Sequence, residues 1–513
     1  NAVTFLNGDY RTTGSGNWVS NNATPAIWER LTSGSWITSN SPNYATTNSV
    51  YIRNGHTITT NGSYGSTVKL IVNNGGVFNS NHTGTAGSIL INDGGILQIN
   101  ASLTNNGLFE VKDNGVVNIN FSFGTPATSI WKGVENFHPN SNLVIQNWDF
   151  SNDLLIPDNT SISTNIYNSY SACFGNVIID AGTNSSNWTM MASGTNVNLA
   201  HGNLSFLSNS ANINIASTGT VTTGIGADFI VDDLYTGTNV IQFKTSGTMN
   251  FTITGNMLLD AATVRVHAGS ASGASTVLNI EGDLVLTPSS VLDFNPTVSG
   301  NATSTINLKG DLTGTGSGLL QNSNTSNMGI FNFVGTGDGL TPSTTQAIDI
   351  ASTSSNENKN INFNIKNGAY VQLINRNFEL GTNSKVTIEN GGVFDFGFNG
   401  TNALNVTASG TSILQSFNVQ SGGTIKITSS DGITNTASVG NVQTPVAGRT
   451  YNIDAIYHYI GKADQVSGNG LPDVASAKTV IVELLDDTIK FWATPTNSVK
   501  RFNSSGKLDI RSG

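Results

Sequence analysis

Four segments near the start of the chain repeat one spelling. From Ile52 it reads IRNGHTITTN, from Val72 VNNGGVFNSN, from Ile91 INDGGILQIN and from Val111 VKDNGVVNIN. The offsets are 20, 19 and 20 residues. Each unit opens on a β-branched residue, passes through two polar residues and Gly, and continues as a short alternating segment. That is turn chemistry followed by a strand. A second spelling follows, ITGNMLL, IEGDLVL and LKGDLTG, with Gly255, Gly282 and Gly310 spaced by 27 and 28. A third, IKNGAYVQLI, IENGGVFDFG and VQSGGTIKIT, begins at Ile365, Ile388 and Val419, spaced by 23 and 31. A fixed core with spacing that drifts predicts coils of one architecture carrying loops of varied length.

The spacing decides among all-β folds. Sandwiches and barrels place strands about 8 to 12 residues apart along hairpins, whereas these units recur at about 20 to 30. No segment carries apolar residues at helical spacing over a dozen positions, so helices are expected to be scarce. The expected fold is all-β, a parallel β-helix (β-solenoid) with inward Val, Ile, Leu and Phe. Its turn glycines are Gly55, Gly75, Gly94, Gly115, Gly255, Gly282 and Gly310, and Asn at like positions of successive coils should form hydrogen-bonded ladders. The end coil of such a stack needs a cap. Residues 1–49 lack the repeat and hold Trp18, Trp28 and Trp36, so they are read as an N-terminal cap. Residues 50–130 are then the regular short coils, 131–448 a solenoid with longer coils and loop insertions, and 449–513 further β coils. The closing GKLDIRSG reads as the start of another coil, so the chain is expected to continue beyond Gly513.

Composition narrows function. Only 11% of residues are charged, and the net charge is −10. With 22 basic residues and no Lys/Arg run, phosphate neutralisation has no footing, so no nucleic-acid partner is expected. No apolar run approaches the ~18 to 20 residues that span a bilayer, so no transmembrane segment is expected. The absence of an initiating Met fits a mature exported chain and equally a cloned fragment. Cys173 is the one cysteine, and between Ala172 and Phe174 it reads as a small buried hydrophobe rather than a reactive thiol.

Chemical motifs are sparse. The histidines, at 56, 82, 138, 201, 267 and 458, make no HxH or HxxxH spacing, and His56 reads as a turn residue. Asp93 and Asp113, beside turn glycines, are simpler as turn formers than as calcium ligands, although structural calcium is kept as an alternative; no other cofactor is expected. Asp232-Asp233 and Asp486-Asp487 are neighbours that a strand would point to opposite faces, which does not make an acid/base pair. No GxSxG, P-loop or dinucleotide fingerprint is present, and no catalytic or metal site is assigned. Tyr457, His458 and Tyr459 form the densest aromatic stretch and are the candidate glycan contacts. Core or loop packing is the competing reading of the same residues. Asp487-Thr488-Ile489 makes Thr488 a candidate O-glycosylation site.

DYRTTGSGNW at Asp9, WERLTSGSWIT at Trp28 and VYIRNGHTITT at Val50 resemble the opening of large secreted or cell-surface proteins of Bacteroidota exported by the type IX secretion system. AHGNLSFLSNSANINI, the GDL coils and NVQSGGTIKITSSDGITNTASVGNVQ are similar to the body of those proteins. RTYNIDAIYHYIGKADQVSGNGLP, from Arg449 to Pro472, is the most specific stretch. The Asp-Thr-aliphatic tripeptide also matches the O-glycosylation pattern of this bacterial group. The resemblance implies outer-membrane export through the type IX translocon and its shuttle proteins by way of a C-terminal sorting domain beyond Gly513. It further implies a location on the cell surface or in the medium. The expected function is a non-catalytic surface protein, stalk- or adhesin-like, with glycans or surfaces as binding partners. The alternatives are a secreted carbohydrate-active β-helix enzyme, either a polysaccharide lyase or a hydrolase, and a carbohydrate-binding module.

Overall fold

The computed structural model describes residues 4–19, 27–65, 67–121, 134–147, 172–181, 188–191, 193–194, 196–209, 212–216, 218–232, 240–297, 301–316, 318–336, 345–350, 357–471, 479–484, 488–490 and 507–511. These residues form short strands joined by turns and bends; the helical element among them is one 3-10 turn, Val446–Gly448. No helix among them is long and apolar enough to cross a membrane. The chain divides into two compact units, Asn1–Thr245 and Ser246–Gly513. The division falls inside the 131–448 segment of the sequence.

Within each unit the strands stack in parallel, coil upon coil, as a β-solenoid. A short coil of the first unit has three sides: Lys69–Val72, Val77–Ser80 and Gly84–Ala86. Each side pairs in parallel with its counterpart in the next coil: Ser88–Ile91, Ile96–Ile99 and Leu103–Asn105. The equivalences are those of the repeat. Ile52 pairs with Val72, Val72 with Ile91 and Ile91 with Val111. In the second unit Ile253 faces Ile280, which faces Leu308. The same sheet carries Ile365, Ile388 and Val419 in register. Spacings from 19 to 31 residues therefore return to the same point of the coil, and the extra residues go into longer strands, such as Thr248–Ile253, and into loops.

Alternation buries one face of every strand. In the first unit Ile58, Phe78, Leu97, Val117, Leu143, Val177, Leu204 and Phe229 stack in one column, each 0% exposed. In the second, Phe251, Leu278, Ile306, Phe331, Phe363, Val386 and Phe417 do the same. At about 1.5 to 3 kcal/mol per buried side chain, such columns supply the main force holding successive coils together.

The turns need two different properties from glycine. Gly55, Gly75 and Gly94 are left-handed, with φ of 74°, 66° and 69°. In the fourth repeat unit the left-handed residue is Asn114, with φ of 56°, and Gly115 occupies the next position. The expectation for Gly115 is corrected by one residue, because Asn tolerates this conformation better than other side chains. Gly282 and Gly310 serve close approach instead. Gly282 N–H donates to Gly255 O at 2.9 Å and Gly310 N–H to Gly282 O at 3.0 Å. A Cβ on Gly310 would lie 2.3 Å from the Gly282 carbonyl oxygen.

The N-terminal region is cap and coil together, which corrects the 1–49 boundary. Tyr10–Thr12 and Gly16–Trp18 already pair in parallel with Ser49–Ile52 and Thr57–Thr60, and form the first coil. The cap proper is the hairpin Trp28–Thr32 and Ser35–Ser39, antiparallel to Tyr10–Thr12 and turned by Ser33 (φ 50°) and Gly34 (φ 83°). Two positive φ values at a two-residue turn match the twist of a hairpin. By running antiparallel the hairpin ends the parallel series, and Trp18 and Trp28 fill the coil beneath it, both 0% exposed and 5.9 Å apart. Trp18 Nε1 donates to Pro42 O at 2.7 Å, so the buried indole is satisfied.

These distances separate the two glycine roles. Gly310→Ala should lower stability by about 1 to 3 kcal/mol through overpacking. Gly55→Asn, in open space and matching Asn114, should stay within about 0.5 kcal/mol of the parent. Urea denaturation followed by circular dichroism reads both, and equal midpoints for the two variants would remove the close-approach argument.

Candidate functional site

Along the outward faces, side chains form the expected ladders. In the first unit Asn79 Nδ2 donates to Thr59 Oγ1 at 3.2 Å, and Asn118 Nδ2 to Gln98 Oε1 at 3.0 Å. The second unit has a longer series: Asn307 Nδ2 donates to Asn279 Oδ1 at 2.8 Å, Asn332 to Asn307 at 2.8 Å and Asn364 to Asn332 at 3.0 Å. At the turns, carboxamide and carboxylate oxygens accept main-chain N–H groups from the following coil. Asn256 Oδ1 accepts from Asp283 N, Asp283 Oδ1 from Asp311 N and Asp311 Oδ1 from Ala347 N, at 2.8, 2.8 and 2.7 Å. Each such bond contributes about 0.5 to 1.5 kcal/mol and fixes the register between coils.

Ionisable groups are also used between coils. Lys309 pairs with Glu281, Lys366 with Glu389 at 2.6 Å and Arg376 with Asp349 at 2.5 Å. The densest cluster in the first unit joins Glu110, Lys112, His138 and Asp113. His138 Nε2 lies 3.3 Å from Glu110 Oε1, and its Nδ1 lies 3.8 Å from Asp113 Oδ2. Burial alone would raise the Glu110 pKa, but hydrogen bonds from Lys112 and His138 hold it below the usual range. In the second unit Asp395, Lys426 and His458 are register neighbours on three successive coils. Asp395, 2% exposed, accepts from Tyr370 Oη at 2.6 Å and from Gln372 Nε2 at 3.1 Å. Lys426 Nζ stands 4.9 Å from the Tyr370 ring centre, and His458 Nε2 lies 2.8 Å from Glu483 Oε2.

The aromatic stretch faces inward, which corrects its assignment as a glycan contact. Tyr457 and Tyr459 are each 0% exposed, and their hydroxyls donate to Asn452 O and Ser467 O at 2.7 and 2.8 Å. His458 is 5% exposed and engaged by Glu483. None of the three offers a ring face to a sugar. Thr488 is exposed, and its hydroxyl donates to Asp464 Oδ1 at 2.7 Å. Cys173 is buried.

Asp93 accepts from Asn114 Nδ2 at 3.1 Å, and Asp113 from Asn140 N at 3.1 Å. Among the described residues no three His, Cys, Asp or Glu side chains converge in a way that could hold a metal ion. Asp233, Asp486 and Asp487 lie outside the described residues. His56 is tied to Thr12 Oγ1 at 2.7 Å, so it joins the first two coils. Sequence reasoning missed Glu110, His138, Asp395 and Lys426 as neighbours. Once the coils are aligned, Asp395 and Lys426 share a register position and His138 falls two positions past the partner of Glu110, but insertions between coils hide both relations.

No family model matches the chain, and no curated protein or solved structure matches it.

Two predictions follow from this geometry. Burial first, then the Lys426 charge, lowers the His458 pKa, opposed by Glu483; burial also lowers His201 and, with Arg53, His56. A histidine with a lowered folded pKa takes up its proton more readily when unfolded, so stability falls as pH drops below 6.5 toward the folded values. His458→Gln should flatten the dependence of the urea midpoint on pH between neutral and mildly acid solution; an unchanged slope would reject it. Tyr457→Phe should lower stability by about 1 kcal/mol, through loss of the bond to Asn452, and leave affinity for any glycan unchanged.

Proposed function

We propose that the chain is a non-catalytic extracellular surface protein, stalk- or adhesin-like, carried across the outer membrane as a passenger of the type IX secretion system. The observation that carries the proposal is the use made of the polar groups. Asn, Thr and Gln on the outward faces bond along the stack from coil to coil, and the charged side chains do so too, as in Lys366–Glu389 and Arg376–Asp349. General acid/base chemistry needs titrating groups gathered beside a substrate and tuned by their surroundings. Here the same groups serve register, which suits a scaffold that presents loops and faces.

The proposed partners during export are the translocon and its shuttle proteins; on the surface they are glycans or other surfaces met by many copies at once, so that weak contacts add through multivalency. The resemblance of the Arg449–Pro472 stretch to Bacteroidota surface proteins supports this route. Thr488, exposed within an Asp-Thr-Ile tripeptide, is the proposed site of O-glycosylation.

Fractionation of cells carrying the native gene should place the protein on the surface or in the medium, and recovery from the cytoplasm of export-competent cells would reject the route. Incubation of the purified chain with pectin, alginate, glucans and glycosaminoglycans should yield no shortened chains. Depolymerisation abolished by replacing one acidic residue would favour the carbohydrate-active enzyme instead.

A further inference from the structure

In the Ser246–Gly513 unit a cleft of 380 Å³ crosses the starts of four neighbouring strands: Gly329–Phe333, Ile361–Ile365, Lys385–Ile388 and Ser416–Val419. These strands pair in parallel one after another. At about 4.8 Å per coil, the cleft extends some 14 Å along the stack, the length of a short oligosaccharide. We propose that it binds a uronic-acid-bearing glycan, with Lys385 meeting the carboxylate, the asparagines meeting hydroxyls, and Ile413 and Leu414 covering the apolar face of a sugar ring.

Three features of the lining support this. Lys385 is half-buried and, among the described residues, its ammonium forms neither an ion pair nor a hydrogen bond, whereas those of Lys112, Lys309 and Lys366 are each paired with a glutamate. An unpaired cation in a chain of net charge −10 favours an anionic occupant at that point. Second, the amides have capacity to spare. Asn383 Nδ2 donates to Asn360 Oδ1 at 3.2 Å and Asn360 Nδ2 to Asn322 O at 2.9 Å, which orients both groups and leaves Asn383 Oδ1 open. Asn360 and Asn383 hold left-handed backbone, with φ of 53° and 60°, where glycine is the easier choice. Keeping Asn on two successive coils retains a side-chain amide at the lip of the cleft. Third, Ile413 and Leu414 are 62% and 57% exposed at its wall. An apolar wall with a few convergent polar groups is how small-ligand sites are commonly built.

One lysine among neutral amides suits a singly charged uronate with its hydroxyls better than a sugar carrying several sulfates. The inference deepens the proposed adhesin-like function by naming its ligand class and rests on that reading for its biological setting.

The test is calorimetric titration of the whole chain with short oligogalacturonate and oligomannuronate, alongside a cello-oligosaccharide and a sulfated keratan oligosaccharide, which carries no uronic acid. The uronates should bind, more weakly as salt is raised. Lys385→Met should weaken binding about tenfold, or about 1.4 kcal/mol, and Lys385→Arg should retain it. Asn383→Gly keeps the left-handed backbone but removes the amide and its bond to Asn360, so it should weaken binding while lowering stability by no more than about 1 kcal/mol. The proposal is overturned if no uronate binds, if the neutral or sulfated oligosaccharide binds as well or better, or if Lys385→Met and Asn383→Gly both bind as the parent does. A surface-located protein that fails the titration refutes the cleft alone. A uronate-binding protein confined to the cytoplasm refutes the export route alone.

Discussion

Parallel pairing of each strand with its counterpart one coil away is the constraint from which the other features derive. It satisfies main-chain donors and acceptors along the stack and places like positions of successive coils about 4.8 Å apart. Any side chain is then judged by whether it tolerates a copy of itself above and below. Apolar residues do so by packing, as in the columns through Ile58 and Phe251. Asparagine does so because its amide both donates and accepts, and Asn279, Asn307, Asn332 and Asn364 occupy one outward column for that reason. A repeated charge repels itself, as Asp283 does Asp311 one coil on, whereas Asp395, Lys426 and His458 set an acid beside basic groups on three successive coils.

The same constraint explains the special residues. Where the backbone of one coil meets that of the next, a Cβ has no room, and Gly282 and Gly310 follow. Where the chain turns left-handed in open space, Gly55 and Asn114 serve alike. At the start of the stack the Trp28–Thr32 and Ser35–Ser39 hairpin reverses direction, which interrupts the template that an exposed parallel edge would present. Loops leaving the coils are free of this rule, so variation and binding chemistry collect there and at strand starts. The cleft beside Lys385 has such a position, between the 324–328 segment and Ile413-Leu414.

Much of the fold was legible because the repeat reports register directly. Ile52, Val72, Ile91 and Val111 were aligned by spelling alone, and they pair in that order. The candidate site was less legible. Alternation puts Tyr457 and Tyr459 on one face, but spelling does not state which face is inside. The spelling points to Gly115, whereas the backbone requirement belongs to the position before it, which Asn114 fills. Residues 10–18 joined the first coil without sharing its spelling, since a short strand below a cap needs only the pairing.

By itself, then, the sequence determined the all-β class, the parallel coil, the places where coils begin and the amides that stack, because each depends on a local pattern repeated at a nearly constant offset. Tertiary structure alone decided which side of Tyr457-His458-Tyr459 faces the core, that Glu110 meets His138 and Asp395 stands beside Lys426, and that Lys385 remains unpaired beside Asn360 and Asn383. The physical reason is that insertions of unequal length between coils erase any regular spacing between such partners, while hydrogen-bonded stacking restores their proximity in space.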